Sequence, residues 1–272
     1  MPMPSIKAGD INLEYYVDGD GPPLLMIMGF AGQANSWGQP IVARLAEHFT
    51  CVRFSNRGTG ASDRPDEPTT IRQMAGDAVA LLDVLGVERP HVFGVSMGGM
   101  IAQELAINYP QRVNGLVLGC TAAGFTRGPH AGADVVQALA PMPGLSREEQ
   151  VRKAWPAICA ADFIANRMDF LETMLTVSLA RPTPIETIAK QIAAVNQHDA
   201  FGRLNQIKAP TLIIHGDIDR LVPYANAPVL HQAIASSELR TLEGASHMFF
   251  WERPDEAADL IIEFLSRVPA QA

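Results

Sequence analysis

A serine stands at the centre of a short glycine-flanked segment: residues 94–98 read Gly-Val-Ser-Met-Gly, with Ser96 in the middle. A serine hydroxyl acts as a nucleophile when its oxygen is exposed and a neighbouring base can take its proton. A sharp turn between a strand and a helix exposes the oxygen by holding the serine in a strained backbone conformation. Side chains two residues before and after would collide across so tight a turn, so both positions favour glycine. The segment therefore predicts a nucleophilic Ser96.

The segments on either side of Ser96 have the patterns of the strand and the helix that such a turn needs. The apolar run 91–95 predicts a strand buried on both faces, and residues 97–109 predict a helix. Further strands are predicted at 24–28, 51–55, 115–121, 211–215 and 239–242, and further helices at 37–48, 71–85, 223–235 and 254–268. This alternation predicts a parallel sheet with helices on both faces. Two extended runs before it, 5–8 and 11–17, predict a hairpin.

The alternation stops in the middle of the chain. Residues 122–207 contain several helical patterns and no convincing strand, and the alternation resumes at the strand predicted from residue 211. We therefore expect one α/β core, residues 1–121 and 208–272, interrupted by a helical insertion at 122–207.

These features together resemble the α/β-hydrolase fold, and the resemblance covers essentially the whole chain. It rests on the segment around Ser96, a Gly-Phe turn at 29–30, the stretch Arg-Gly-Thr-Gly-Ala-Ser-Asp at 57–63, and late segments that hold an Asp and a His. The resemblance implies a mostly parallel central sheet flanked by helices, with 122–207 as a helical cap over the active site. The chain departs from the family at Met28, where relatives often carry a histidine that organises the next loop.

The resemblance also implies which residues assist Ser96. In this family the nucleophile comes first along the chain, the acid next and the base last. His247 lies after the last predicted strand and before the final helix, as the family's catalytic histidine does. One late turn offers Asp217 and Asp219, and the family position, three residues after a glycine and shortly before Val-Pro, selects Asp219. Asp217 is interpreted as a turn residue that binds its own backbone, and His215 as structural.

The remaining site residues are assigned by position. The backbone N–H groups of Phe30 and Met97 are expected to form the oxyanion hole, which binds the negative oxygen formed when a carbonyl is attacked. Asn35, Trp37 and Phe249 are candidate pocket residues, although aromatic residues in such segments are more often core. The expected pocket is apolar, which favours small or medium, largely uncharged substrates.

Composition and spacing exclude several classes of protein. The net charge is −8 and no basic stripe occurs, so nucleic acid is excluded as a partner. The longest apolar run, 24–28, is too short to cross a membrane, and residues 1–20 lack the pattern of a signal peptide. No histidine pair has HxH or HExxH spacing, so neither a metal nor another cofactor is predicted. Three cysteines without a CxxC pair favour buried thiols in the cytoplasm. The oligomeric state is left open.

The sequence therefore predicts a serine hydrolase that cleaves small carboxylic esters or lactones through an acyl-enzyme on Ser96. The same residues also suit hydrolysis of a carbon–carbon bond in a β-diketone type substrate. A ligand receptor built on a hydrolase fold and a cofactor-free oxygenase are further alternatives. Dehalogenases and epoxide hydrolases of this fold are excluded, because their nucleophile at the same turn is an aspartate.

Overall fold

Eight strands form one sheet in the computed structural model, which describes residues 5–124 and 126–269. They are β1 (Ser5–Ala8), β2 (Ile11–Asp18), β3 (Pro23–Ile27), β4 (Thr50–Phe54), β5 (His91–Val95), β6 (Leu116–Gly119), β7 (Thr211–Gly216) and β8 (Ser237–Leu242). Their order across the sheet is β1-β2-β4-β3-β5-β6-β7-β8. β1 pairs antiparallel with β2, and β2 with β4, whereas all other neighbours are parallel. The predicted hairpin and the mostly parallel sheet are confirmed.

Helices cover both faces of the sheet. Along β3 successive side chains point to opposite faces: Leu25 and Ile27 join one buried apolar cluster, and Leu24 and Met26 join another. The first cluster is completed by α2 (Ile71–Val84), α3 (Met97–Asn108) and α9 (Asn226–Ala233). The second is completed by α1 (Gln39–Ala46), the short α10 (Phe249–Glu252) and α11 (Pro254–Ser266). Burial on both faces explains why the parallel strands β3, β5, β6 and β7 are mostly apolar.

The connection between β6 and β7 is helical over the residues that the structure describes. It holds α4 (Ala133–Leu139), α5 (Arg147–Ile158), α6 (Ala161–Asn166), α7 (Met168–Ala180) and α8 (Ile185–Gln197). These helices have their own apolar cluster, formed by Trp155, Cys159, Phe163, Phe170, Leu171, Met174 and Leu175. Residues 122–207 are called the insertion below. That the insertion acts as a cap stays a prediction.

One predicted helix begins later than its pattern indicates. The sequence pattern predicts a helix at 37–48. In the structure a short 3₁₀ turn occupies Ala34–Trp37, and α1 begins at Gln39. Gly38 separates the two. Its φ is 80°, a backbone conformation that residues other than glycine rarely adopt. The chain therefore changes direction at Gly38 before the longer helix starts.

Two sequence expectations concern thiols and membranes. Cys51, Cys120 and Cys159 are buried as free thiols, as the sequence predicted, and burial raises the pKa of Cys51 to about 12. Within the described ranges, no helix combines the length and apolar character needed to cross a bilayer.

Candidate active site

Ser96 occupies a strained turn between β5 and α3. Its backbone angles are φ 55° and ψ −123°, a region that residues with a side chain rarely enter. A Cβ placed on Gly94 would lie 2.3 Å from the carbonyl oxygen of Gly98, and one on Gly98 would lie 2.1 Å from that of Ile27. Neither position can hold a side chain without moving the backbone. For Gly94 the obstacle lies within the turn, as predicted, whereas for Gly98 it is the end of β3. The Ser96 N–H donates to Gly119 at 2.9 Å and joins the turn to β6.

Asp219 and His247 meet in a buried contact. Nδ1 of His247 lies 2.8 Å from Oδ2 of Asp219, and the side chain of Asp219 is fully buried. The other oxygen, Oδ1, accepts the backbone N–H groups of Leu221 and Val222 at 2.8 and 2.9 Å. Burial raises the pKa of Asp219, but the charge of His247 and hydrogen bonds from His247 and His215 outweigh it and hold the pKa well below its usual range. Asp219 is therefore ionised and accepts the Nδ1–H of His247.

A second histidine contacts the same carboxylate, which the sequence interpretation of His215 as merely structural missed. Nε2 of His215 lies 2.7 Å from the carbonyl oxygen of Val222 and 3.3 Å from Oδ2 of Asp219. A carbonyl oxygen only accepts, so Nε2 carries the proton. The signal available in the sequence was the spacing of four residues between His215 and Asp219.

Asp217 is exposed and does not reach His247. Its Oδ1 accepts the backbone N–H of Gly244 at 2.7 Å and so joins the loop of Asp219 to the loop of His247. The loop role predicted for Asp217 is right in kind, but its partner is the neighbouring loop rather than its own backbone.

The loop that carries His247 is also joined to the insertion. The carboxylate of Glu252 accepts the N–H of Ser246 at 2.8 Å and that of Ala160, in the insertion, at 2.9 Å. The N–H of Met248 donates to Ile158 at 3.0 Å. Burial raises the pKa of Glu252 in spite of these two bonds. The position of the His247 loop thus depends partly on the insertion.

The two predicted oxyanion donors flank Ser96 in the fold. A Cβ placed on Gly29, directly before Phe30, would lie 3.0 Å from Cβ and 3.6 Å from Oγ of Ser96. The loop after β3 therefore approaches the serine closely. Met97 is the first residue of α3, and the first N–H groups of a helix have no partner within it. The use of both N–H groups as an oxyanion hole stays a prediction.

Of the three candidate pocket residues, two lie in the core and one is exposed. Trp37 is fully buried, with its ring centroid 4.9 Å from that of Phe93, and Phe249 is fully buried in the same cluster. Both pack in the core, so we leave them out of the proposed pocket. Asn35 is exposed, and its Oδ1 accepts a hydrogen bond from Arg53 at 2.6 Å. Its pocket role stays a prediction.

The hydrogen bonds among the described residues include none between Ser96 and His247, and such contacts often align only when substrate is bound. In the part of the chain that the structure describes, no group of three His, Cys, Asp or Glu side chains could hold a metal ion.

Comparison with known proteins identifies the family. The model of a family described as having the alpha/beta hydrolase fold matches residues 22–156 and 161–254, which is most of the chain. The protein belongs to the α/β-hydrolase family. It is therefore a hydrolase of the class that acts on small molecules, and the fold implied by the sequence is confirmed.

Relatives within this α/β-hydrolase family differ in their substrates. The "Putative carbamate hydrolase RutD" of Azorhizobium caulinodans is 29% identical over 270 residues, covering 98% of this chain and 99% of the relative. The 2-hydroxy-6-oxononadienedioate/2-hydroxy-6-oxononatrienedioate hydrolase of Paraburkholderia xenovorans is 30% identical and covers 96% of this chain and 93% of the relative. Among solved structures, the enol-lactonase from Burkholderia xenovorans matches with a TM-score of 0.84 and 28% identity, covering 97% of this chain and 100% of that one.

Proposed function

We propose that this α/β hydrolase cleaves small carboxylic esters or lactones through an acyl-enzyme on Ser96. The observation that carries the proposal is the buried contact of 2.8 Å between His247 Nδ1 and Asp219 Oδ2. It directs the opposite nitrogen of the ring, Nε2, away from the acid and leaves it available as a base. The strained turn at Ser96 supplies the nucleophile.

The reaction follows from these roles. Oγ of Ser96 attacks the carbonyl carbon while its proton passes to Nε2 of His247, and the ionised Asp219 stabilises the cationic ring. The negative oxygen that forms accepts hydrogen bonds from the backbone N–H groups of Phe30 and Met97. His247 then gives its proton to the leaving oxygen, and an acyl-enzyme remains. A water molecule, deprotonated by His247, attacks this ester and releases the acid and Ser96. With a lactone, the alcohol stays attached and the product is a single hydroxy acid.

The insertion supports an apolar substrate. Its apolar cluster packs against Met248 and Trp251, which lie one and four residues after His247. We infer that the insertion covers the base side of the site as a cap and that largely uncharged acyl groups fit beneath it. The resemblance to an enol-lactonase over the whole fold supports lactones as well as open esters.

Carbon–carbon bond hydrolysis is the second candidate function. It is favoured by the relative whose name specifies a 2-hydroxy-6-oxo dienedioate as substrate. The same serine and base would serve this reaction, so the site geometry does not separate it from ester hydrolysis. Activity on substrates of both kinds does.

The test compares wild type with Ser96→Ala on a panel of p-nitrophenyl esters, lactones and 2-hydroxy-6-oxo dienoates. The variant should lose kcat by about 10⁶-fold, the size seen when the serine of a serine protease is removed. A fluorophosphonate probe should label wild type and the exposed control Ser266→Ala, but not Ser96→Ala. A chelator should leave the rate unchanged. Labelling that survives Ser96→Ala would contradict the proposal.

A further inference from the structure

The loop after β3 contains an unusual residue, Ala31. Its φ is 56°, and only two other non-glycine residues in the described ranges, Ser96 and Cys120, have a positive φ. A side chain makes this left-handed conformation unfavourable, so surrounding contacts must hold it. Ala31 directly follows Phe30, the proposed oxyanion donor.

Two side chains of the insertion bind both backbone polar groups of Ala31. The Ala31 N–H donates to Oε1 of Gln191 at 2.8 Å, and the hydroxyl of Thr183 donates to the Ala31 carbonyl at 2.9 Å. Gln191 and Thr183 are 1% and 7% exposed, so water competes little for these contacts. They lie 160 and 152 residues later in the chain. Nearby, Nε2 of Gln33 donates to the carbonyl of Val177 in α7 at 2.8 Å.

These contacts act on the Phe30 N–H through the geometry of the turn. That N–H lies in the same planar peptide group as the Gly29 carbonyl, which accepts the N–H of Gly32 at 3.2 Å. In this four-residue turn Ala31 holds the third position, where a positive φ normally requires glycine. Holding Ala31 in that conformation keeps the turn closed. A closed turn fixes the direction of the Phe30 N–H.

The surroundings of Gln191 indicate a role beyond stability. Its Oε1 accepts the hydrogen bond from the Ala31 N–H, which fixes the orientation of the amide. Its Nε2 is buried without a hydrogen-bond partner in the described part of the chain, which is unfavourable for the folded state. An apolar side chain of similar size would avoid this penalty but would leave the Ala31 N–H unbound.

We propose that Gln191 and Thr183 are positioning residues of the oxyanion hole. They hold Ala31 in its left-handed conformation, and the turn then directs the Phe30 N–H at the substrate oxygen. The insertion thus completes the catalytic site as well as covering it. The catalytic consequence rests on the proposed function, whereas the control of the loop by Gln191 does not.

The test compares two substitutions at Gln191. Gln191→Leu removes the acceptor, and kcat should fall by about 10- to 100-fold with KM within about 2-fold, less than the loss of an oxyanion donor itself. Gln191→Glu keeps an acceptor oxygen and should recover most of the rate. Lys190→Met is the matched control, because Lys190 precedes Gln191 in α8 and binds the carbonyls of Pro65 and Asp66 instead. It should leave kcat unchanged.

Two further measurements separate positioning from general stability. The affinity of a boronic acid, which mimics the transition state, should fall in Gln191→Leu by the same factor as kcat/KM. Exchange of the Ala31 amide hydrogen, followed by NMR, should become faster in Gln191→Leu and stay slow in Lys190→Met. If Gln191→Leu does not fold, Thr183→Val provides the same comparison with a smaller change.

The outcomes distinguish this inference from the proposed function. Unchanged kcat and boronic acid affinity in Gln191→Leu, with an active wild type, would overturn only the inference. Unchanged exchange at Ala31 would overturn it too, even in a protein without esterase activity. Absence of turnover dependent on Ser96 in wild type would overturn the proposed function, and the exchange experiment would still decide whether Gln191 holds the loop.

Discussion

The carboxylate of Asp219 and the backbone of Ala31 are both held by hydrogen bonds, but the donors and acceptors come from different distances along the chain. Apart from His247, the groups that bind Asp219 are His215, Leu221 and Val222, all within four residues of it. Ala31 is bound by Gln191 and a threonine that lie more than 150 residues away. The acid side of the site is therefore built locally at the end of β7. The oxyanion side, meaning the loop that carries the proposed donor Phe30, is held instead by side chains of the insertion.

This difference predicts which substitutions disturb which part of the site. Changes near the end of β7 should disturb the orientation of His247 and leave the oxyanion loop intact. Changes in α8 should do the opposite.

Asp219→Asn should be the most damaging substitution on the acid side. The amide keeps the shape of the carboxylate but removes the charge that stabilises the cationic ring of His247, so kcat should fall by about 10⁴-fold. Asp217→Asn is the matched control in the same turn. It weakens only the bond to Gly244, so it should change kcat little and lower the free energy of unfolding by about 1 kcal/mol. Measuring kcat and the thermal midpoint of both variants decides the assignment. If Asp217→Asn proved the less active variant, the assignment of Asp219 would be wrong.

Acid should destabilise both the core and the insertion, because each contains a buried histidine. Burial lowers the pKa of His91, at the start of β5, and of His198, at the end of α8, to about 4 in each case. The charge of Glu104, 3.5 Å from His198, raises the pKa of His198, whereas the charge of Arg203 lowers it further. An unfolded histidine titrates near 6.5, so the unfolded state binds more protons between these values. Stability is therefore lost as the pH falls from about 6.5 to about 4.

The measurement is the free energy of unfolding at pH 7 and pH 5. Each histidine should account for about 2 kcal/mol of the decrease between these values. His91→Gln and His198→Gln should each reduce the decrease by that amount. If the insertion unfolds separately from the core, only His198→Gln should protect the Ala31 amide from exchange at pH 5. An equal pH dependence in wild type and both variants would contradict the prediction.

His215 tests the local construction of the acid side. His215→Phe removes the N–H that faces Asp219 and should lower kcat by about 10-fold, the value of one hydrogen bond to a charged group. His215→Gln can place an amide N–H at a similar distance and should recover part of that loss. The exchange rate of the Ala31 amide should be the same in both variants. A change in that rate would show that the two sides are coupled.

The same contrast explains how much the sequence could predict. The strands that hold the site were predictable because they are unbroken apolar runs between turn signals. Gly94 was predictable because a side chain there would meet Gly98 within the same turn. Asp219 and His247 were predicted from their place in the chain order of the family. The hydrogen bond between Gln191 and Ala31 was not predictable, because no local sequence pattern links residues 160 positions apart. Trp37 was a candidate for the pocket because the sequence pattern of a buried core aromatic is the same as that of an aromatic that lines a pocket.

Phe30→Ala should have the smallest effect, although Phe30 is a proposed catalytic residue. Its contribution to the oxyanion hole is a backbone N–H, which alanine also has. The side chain is 43% exposed and lies outside the core clusters, so the free energy of unfolding should change by no more than about 0.5 kcal/mol. We expect kcat on a short-chain ester to stay within about 3-fold of wild type, because the group that stabilises the transition state is retained.

The matched control for Phe30→Ala is Ile218→Ala, which truncates an exposed apolar side chain beside Asp219 in the acid turn. Both variants should be nearly normal, each for the reason that its side chain takes no part in the hydrogen bonds of its side of the site. A change confined to KM for bulky acyl groups in Phe30→Ala would indicate that this ring contacts substrate. A fall in kcat of more than about 10-fold would show that the ring itself positions the loop. The oxyanion side would then depend on a local side chain, as the acid side does, and the contrast between the two sides would fail.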